Sequence, residues 1–177
     1  MDRIAVDPFE YLPQILSGLK KPGLLLVSGK NGNPMTIGWA TAGIIWEKPV
    51  FTVLVRPSRY SFELLEENGE FTVNVPSADD REMAYAAKWC GSRSGRNYDK
   101  CAELNLVKEP GIVVDVPYLA GSIIHLECRT VHKNDISEQT LDYRIAAEHY
   151  SGGNFHRIWW GEILGAWKAA GYEEADK

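Results

Sequence analysis

The stretch Val50-Phe51-Thr52-Val53-Leu54-Val55-Arg56-Pro57-Ser58-Arg59-Tyr60-Ser61 changes character halfway along. Its first six residues are almost all β-branched or aromatic, the composition of a buried strand. Pro57 and Ser58 then signal a helix start, and Phe62, Leu64 and Leu65 continue in helix-compatible positions until Asn68-Gly69 stops the run. Upstream, the apolar run Gly23 to Ser28 ends in Gly29-Lys30-Asn31-Gly32-Asn33-Pro34, which is turn chemistry. Met35 to Ile45 reads as one further strand, joined to Val50–Val55 by the short link Glu47-Lys48-Pro49. Downstream, Phe71 to Val75 alternates and stops at Pro76. Arg81 to Trp89 is a second helix, Gly91 to Arg96 a Gly/Ser/Arg loop, and Asp99 to Leu104 a short helix. Three longer strands are expected over Gly121 to His132, Glu138 to His149 and His156 to Trp167. Gly161, set among Ile158, Trp159, Trp160 and Ile163, marks a place in the last strand where something packs close. No repeat, low-complexity tract or long linker interrupts the series, so residues 1–177 form one mainly β domain. The pattern predicts a small antiparallel barrel with short flanking helices.

Composition narrows the function. The chain has 177 residues with 19 Lys+Arg against 24 Asp+Glu, a formal net charge of −5. That balance excludes a broadly cationic nucleic-acid binder. A chain of this length buries about 70% of its unfolded surface, enough for a core without disulfides. The apolar runs all fall short of the roughly 20 residues of a membrane-spanning helix, and MDRIAVDPFE has no apolar signal core, so a cytoplasmic, membrane-free protein is expected. Cys90, Cys101 and Cys128 are odd in number and widely spaced, without a CxxC pair. Cys128, in the alternating run His125-Leu126-Glu127-Cys128-Arg129, reads as a small buried hydrophobe. The four histidines lack i, i+4 spacing, so no metal site is expected. No GxSxG elbow supports a nucleophilic serine.

Three segments could carry chemistry. Arg56-Pro57-Ser58-Arg59-Tyr60-Ser61 puts guanidiniums and hydroxyls where a strand ends and a helix begins, and the unpaired N–H groups of a helix start favour an anion. Solvated arginines beside a serine cap are the plainer alternative. In Cys90-Gly91-Ser92-Arg93-Ser94-Gly95-Arg96-Asn97-Tyr98-Asp99-Lys100, glycines admit a close ligand, and Ser94, Arg96 and Lys100 could contact phosphate or ring. A mobile basic loop would look the same. In Met35-Thr36-Ile37-Gly38-Trp39-Ala40-Thr41-Ala42-Gly43, small residues leave room for a flat molecule against the backbone, or for tight barrel packing.

Taken in order, these segments resemble the flavin reductase-like family, and its flavoredoxin branch most. The likeness runs through Asn33 to Ala40, Arg56 to Ser61, Asn68 to Pro76, Cys90-Gly91, Ser94-Gly95-Arg96, Asp99-Lys100 and Leu126-Glu127-Cys128. It closes on His156-Arg157-Ile158-Trp159-Trp160-Gly161-Glu162-Ile163, which is similar to the family's His-x-x-x-x-Gly-Glu-Val strand. It covers about residues 12–167, leaving an acidic C-terminal tail. The resemblance implies an FMN-binding split β-barrel, of Greek-key antiparallel type, acting as a homodimer with flavin near the subunit interface. It implies that Met35, Thr36, Ile37, Gly38 and Trp39 lie along the ring system and ribityl chain, and that Arg56, Pro57, Ser58, Tyr60 and Ser61 hold the phosphate. Cys90, Ser94, Gly95, Arg96 and Lys100 would close over the flavin. His156 matches the family's histidine near flavin and nicotinamide and is the catalytic candidate, against the alternative of a barrel-end histidine with a structural hydrogen bond. The sequence departs from the family in two places. Phe155 stands where the family commonly has Asp, removing an orienting carboxylate, and Trp159-Trp160 is bulkier than the usual pair, which would narrow access to the ring.

The expected function is an FMN-dependent oxidoreductase taking hydride from NADH or NADPH and passing electrons to a small acceptor or an electron-acceptor protein. Its rivals are a non-enzymatic FMN-binding electron carrier and a barrel that serves as a flavin-free interaction module. Six tryptophans, several on strand faces, add a compositional reason to expect a dimer seam.

Overall fold

The computed structural model describes residues 2–77 and 79–172; the acidic C-terminal tail lies outside them. The chain runs β1 (Arg3–Ala5), a 3-10 turn (Pro8–Tyr11), α1 (Leu12–Lys20), β2 (Leu24–Ser28), β3 (Asn33–Ile37), β4 (Ala40–Ile45) and β5 (Lys48–Val55). It continues through α2 (Tyr60–Asn68), β6 (Glu70–Val75), α3 (Arg81–Ser92), α4 (Lys100–Glu103), β7 (Lys108–Glu109) and β8 (Tyr118–Leu119). Last come β9 (Ile124–Asp135), a 3-10 turn (Glu138–Thr140), α5 (Tyr143–His149) and β10 (Arg157–Ala169). Eight strands form one sheet in the order β3-β2-β6-β9-β10-β5-β4, with β1 added beside β10. Every pairing is antiparallel. No helix among the described residues is long and apolar enough to cross a membrane.

The two end strands, β3 and β4, are consecutive in the chain. The expected single strand Met35–Ile45 is therefore two strands, broken at Gly38-Trp39, and that dipeptide spans the gap between the sheet's ends. The curled sheet closes on one core that includes Leu24 and Leu26 from β2, Phe51 and Val53 from β5, Val73 from β6, Leu126 from β9 and Trp159 from β10. Helix α1, for which the sequence reading had no element, adds Ile15 to it. Gly161 lies where expected: a side chain there would run into the Phe71 ring.

Strand β2 is apolar on both faces because it is buried on both. Leu25 and Val27 point away from the barrel interior into a second cluster with Met83, Cys90, Cys101, Val114, Val116 and Leu119. The 110–122 segment that covers this outer face is pinned by polar side chains of the sheet. Thr72 Oγ1 donates to Pro117 O at 2.9 Å, and Asn74 Oδ1 accepts from Leu119 N at 2.8 Å. The Glu127 carboxylate accepts the backbone N–H groups of Ile112, Val113 and Val114 at 2.7–3.1 Å, and His125 Nε2 donates to it at 3.2 Å. Burial pushes the His125 pKa down. Burial alone would raise that of Glu127, but the hydrogen bonds from His125, Ile112 and Val113 outweigh it and hold Glu127 below its ordinary value. The pair is thus a neutral imidazole and a carboxylate. Cys128 packs into the barrel core, and all three cysteines are free and buried.

Other boundaries differ from the sequence reading. Glu138–His149 is no strand: Asp142 caps Arg144 N, and the helix-favouring run through Ala146, Ala147 and Glu148 makes α5, leaving Tyr143 and Ile145 exposed. The loop expected from Gly91 begins at Arg93, because α3 continues to Ser92. Strand β9 begins at Ile124 rather than Gly121 and reaches Asp135.

Glu127 gives the first prediction. Glu127→Gln should lower unfolding stability at pH 7 by about 3 kcal/mol, since one amide oxygen cannot replace a carboxylate taking three N–H donors. Because the folded pKa is depressed, the stabilisation is fully present above the ordinary carboxylate value and is lost as pH falls from there through the lower folded value. Urea titration at pH 7 measures the loss, and a change below about 1 kcal/mol would mean the 110–122 segment is held some other way.

Candidate functional site

Strand β5 ends at Val55, and the chain turns at once. Arg59 N donates to Arg56 O at 2.9 Å, with Pro57 at the second position of the turn, where its fixed φ belongs. Helix α2 then begins at Tyr60. Its N-cap residue, Arg59, makes no side-chain cap, so the opening N–H groups lack the acceptor a serine or aspartate would give. Two adjoining cavities flank this turn and share Met35 and Arg59.

The larger cavity, about 240 Å³, is lined by Met35, Thr36, Ile37, Gly38 and Trp39 from β3 and the crossing. Leu54, Val55, Arg56, Arg59, Gly91 and His156 complete it. The smaller, about 50 Å³, is lined by Asn33, Met35, Ser58, Arg59, Tyr60, Ser61, Cys90, Arg93, Ser94, Gly95 and Lys100. It has room for a group of one or two waters' size, not for a ring. The three chemistry-bearing segments of the sequence therefore meet in one tract. Neither lining contains a carboxylate, whereas Arg56, Arg59, Arg93 and Lys100 contribute four cations.

These cations differ in their commitments. Lys100 is 4% exposed, and its ammonium donates to Pro34 O at 2.8 Å and Cys90 O at 3.1 Å, leaving one of its three N–H bonds unspent. Burial pushes its pKa down, and the nearby Arg59 charge adds to the fall. Arg59 and Arg93 are exposed, and their guanidiniums have no hydrogen-bond or ion-pair partner among the described residues. Arg56 is spent differently. Its guanidinium donates to His149 O at 2.9 Å and Asn154 O at 3.2 Å and lies over the Tyr150 ring. Of the residues expected at the phosphate, Ser58, Tyr60 and Ser61 line the smaller cavity, Arg56 lines the larger one, and Pro57 shapes the turn without lining either.

The 93–97 loop closes over the smaller cavity. Arg96 donates to Ser58 O at 3.1 Å and pairs with Glu63, so it ties the loop to the start of α2 and lines an adjacent, wider groove. Gly95 has no room for a side chain, because a Cβ would overlap Asn33 and press on Tyr60. Asn33 in turn donates to Ser61 Oγ at 2.9 Å. Cys90 lines the cavity as a thiol, burial pushing its pKa up to about 11 despite the Lys100 charge.

His156 enters from the start of β10. Its Nδ1 is 2.7 Å from the Tyr150 hydroxyl, and its ring lies 5.0 Å from that of Trp39, which contacts His149 at the same separation. Burial, then the charges of Arg56 and Arg59, push its pKa down to about 4, so the imidazole is neutral at pH 7. The 150–156 segment is fastened to the turn by Asn154 Nδ2, which donates to Ser58 Oγ at 2.8 Å, and is closed on itself by Gly153 N donating to Tyr150 O at 2.8 Å. Trp159 and Trp160 do not narrow the cavity. Trp159 is in the barrel core, and Trp160 points outward, donating to Asn134 Oδ1 at 2.7 Å. The site assignment from the resemblance leaves out Arg59, Arg93, Asn33 and Tyr150. The arginine pair had a signal in the clustering of cations, but Tyr150 had none, since it falls between the strands expected over Glu138–His149 and His156–Trp167.

Comparison with known proteins agrees with this architecture. A relative from Archaeoglobus fulgidus, an uncharacterised protein, is 30% identical over 141 residues, covering 77% of this chain and 72% of its own. Flavoredoxin of Desulfovibrio vulgaris (Miyazaki F) superposes with a TM-score of 0.65 at 26% identity, over 84% of this chain and 70% of that one. An FMN-binding domain of a flavin reductases-like enzyme from Shewanella baltica OS155 superposes at 0.63 with 20% identity, over 94% and 77%. The Flavin reductase like domain matches residues 16–175, nearly the whole described chain, and this protein belongs to the flavin reductase-like family with its split-barrel fold.

Proposed function

We propose that the protein binds FMN in the two adjoining cavities and works as an NAD(P)H-dependent oxidoreductase. The observation that carries the reading is the carboxylate-free tract with four cations in a protein of net charge −5. A buried ammonium held only by carbonyls, beside an uncapped helix start, is a costly arrangement unless an anion shares it. The residues fit a phosphorylated flavin: Lys100, Arg59, Arg93, Ser58 and Ser61 would hold the phosphate, and Met35 to Trp39 with Gly91 and His156 would border the ring system. In this assignment Arg56 organises the 149–156 segment and leaves the phosphate to Arg59 and Arg93. The chemistry supplied by bound FMN is uptake of a hydride from NADH or NADPH and delivery of electrons to a small acceptor or partner protein. Around it, the chain keeps a neutral His156 beside Trp39 and excludes carboxylates that would repel the ligand.

The test separates phosphate from ring. Purified protein should be yellow and bleach anaerobically with NADH or NADPH. Lys100→Met, and the pair Arg59→Ala with Arg93→Ala, should each weaken FMN binding about 30-fold while changing riboflavin binding little, because a hydrogen bond to a charged group is worth about 2 kcal/mol. Equal losses for FMN and riboflavin would remove the phosphate assignment. Bound flavin that stays oxidised would leave the electron-carrier reading in place of the reductase.

A neutral His156 fixes the pH behaviour. Its contribution penalises the fold only as pH falls from the ordinary histidine value of 6.5 toward about 4, and vanishes above that window. The rate of flavin reduction should therefore show no inflection near 6.5 between pH 5.5 and 8. A step there that His156→Asn abolishes would mean the imidazole titrates normally.

We also propose a homodimer. Terminal strand β4 presents Ile44 at 60% exposure, and Trp46, just beyond it, is 57% exposed. Trp46 clusters with Trp160 and His132 at ring separations of 6.1–6.4 Å. Apolar surface of this kind suits an interface. Sedimentation at micromolar concentration should give a dimer, and Ile44→Glu with Trp46→Glu should give a monomer; a monomeric parent protein would sink the idea.

A further inference from the structure

We infer that Tyr150 is the positioning residue for His156, fixing the ring with its proton on Nε2 so that a neutral imidazole offers an N–H donor to the larger cavity. The use of that donor in flavin chemistry rests on the function proposed above; the tautomer itself does not.

The assignment follows from counting protons. Tyr150 is buried, 6% exposed, and its hydroxyl lies 2.7 Å from His156 Nδ1, with the His156 backbone N–H directed at the same oxygen. A phenol keeps its proton at neutral pH, and burial pushes the Tyr150 pKa up further; Nδ1 is the acceptor that this O–H meets, the other contact being an N–H, so the hydroxyl donates to Nδ1. Nδ1 must then be the bare nitrogen. The charged and titratable groups around the ring are Arg56, Arg59, Tyr150 and, across Trp39, His149. The two guanidiniums oppose a second ring proton. A neutral imidazole carries one N–H, which leaves it on Nε2.

Tyr150 is itself immobilised for this task. Phe155 stacks on its ring at 4.7 Å and 15°, and the Arg56 guanidinium lies 5.0 Å from the ring centroid. Its backbone N–H caps α5 by donating to Ala146 O. Phe155, where the resemblance implies an aspartate, thus clamps a tyrosine that takes over the carboxylate's orienting contact with the opposite polarity. A carboxylate would accept from Nδ1 and favour a cationic ring, whereas the phenol donates to Nδ1 and favours a neutral one.

The experiment is 15N–1H correlation of the histidine rings in the full chain, comparing the parent with Tyr150→Phe, which keeps both stacks and removes only the hydroxyl. The parent should show His156 as a single tautomer with a bare Nδ1 and a protonated Nε2. Tyr150→Phe should lose that single form to a mixture, although a role confined to packing would leave the nitrogen shifts alone. A protonated Nδ1 in the parent, or an unchanged pattern in the variant, would overturn the inference. Should Tyr150→Phe fail to fold, the parent tautomer decides alone. Because the spectrum can be taken without flavin, absence of flavin binding would defeat the proposed function and leave this test standing.

Discussion

Gly38 and Trp39 carry the chain from one end strand of the sheet to the other, and so short a link forces an eight-stranded sheet to curl. Strands β3 and β4 share no ladder, so the closure is covalent at this point and the backbone there is free of pairing duties. A ladder would have filled the space with hydrogen-bonded backbone. The break instead leaves Met35 to Trp39 as a wall. Opposite it, β5 ends in the Arg56–Arg59 turn, and β10 begins beside His156. The cavities thus follow from topology, and the side chains determine what they can hold.

Those side chains run against the protein's overall charge. An acidic chain gathers Arg56, Arg59, Arg93 and Lys100 around one tract and keeps carboxylates out of its lining. The carboxylates nearby are used elsewhere: Glu63 pairs with Arg96, and Glu66 with Lys133 and Arg157. Exposed pairs of this sort contribute little to stability, so their effect is chiefly to settle loops and leave other cations unmatched. Lys100 is the extreme case, a buried charge satisfied by two carbonyls. Such a group lowers stability unless something compensates it, and functional sites are where folds tolerate that cost.

How much of this could be read from the sequence depended on whether the signal was local. The buried strand Val50–Val55, the helix after Pro57-Ser58 and the close packing at Gly161 are written in nearest neighbours, and the structure has each. The ordered family resemblance supplied the barrel. The split at Gly38-Trp39 was invisible to periodicity, because alternation continues across it while the chain changes partners. Glu138–His149 failed because Leu141, Tyr143 and Ile145 alternate like a strand, and Asp142 capping decides otherwise. Arg56 and Arg59 are alike as residue types, so their separate uses turn on the 149–156 segment, which lies about a hundred positions away. The anchoring of residues 112–114 by Glu127 is likewise a long-range contact that no window reveals.

The same distance explains why the two ends of the tract are mechanically linked. Arg56 and Ser58 hold the 149–156 segment through His149 O, Asn154 O and Asn154 Nδ2, while Ser58 O receives Arg96 from the 93–97 loop. One four-residue turn is therefore the common anchor of the segment that orients His156 and of the loop that covers the smaller cavity. A turn closed by proline and by the Arg59 N–H to Arg56 O bond has little freedom to yield. Its rigidity sets the separation between an anion-sized cavity and a neutral imidazole, which a ligand with phosphate at one end and a flat ring at the other would have to match.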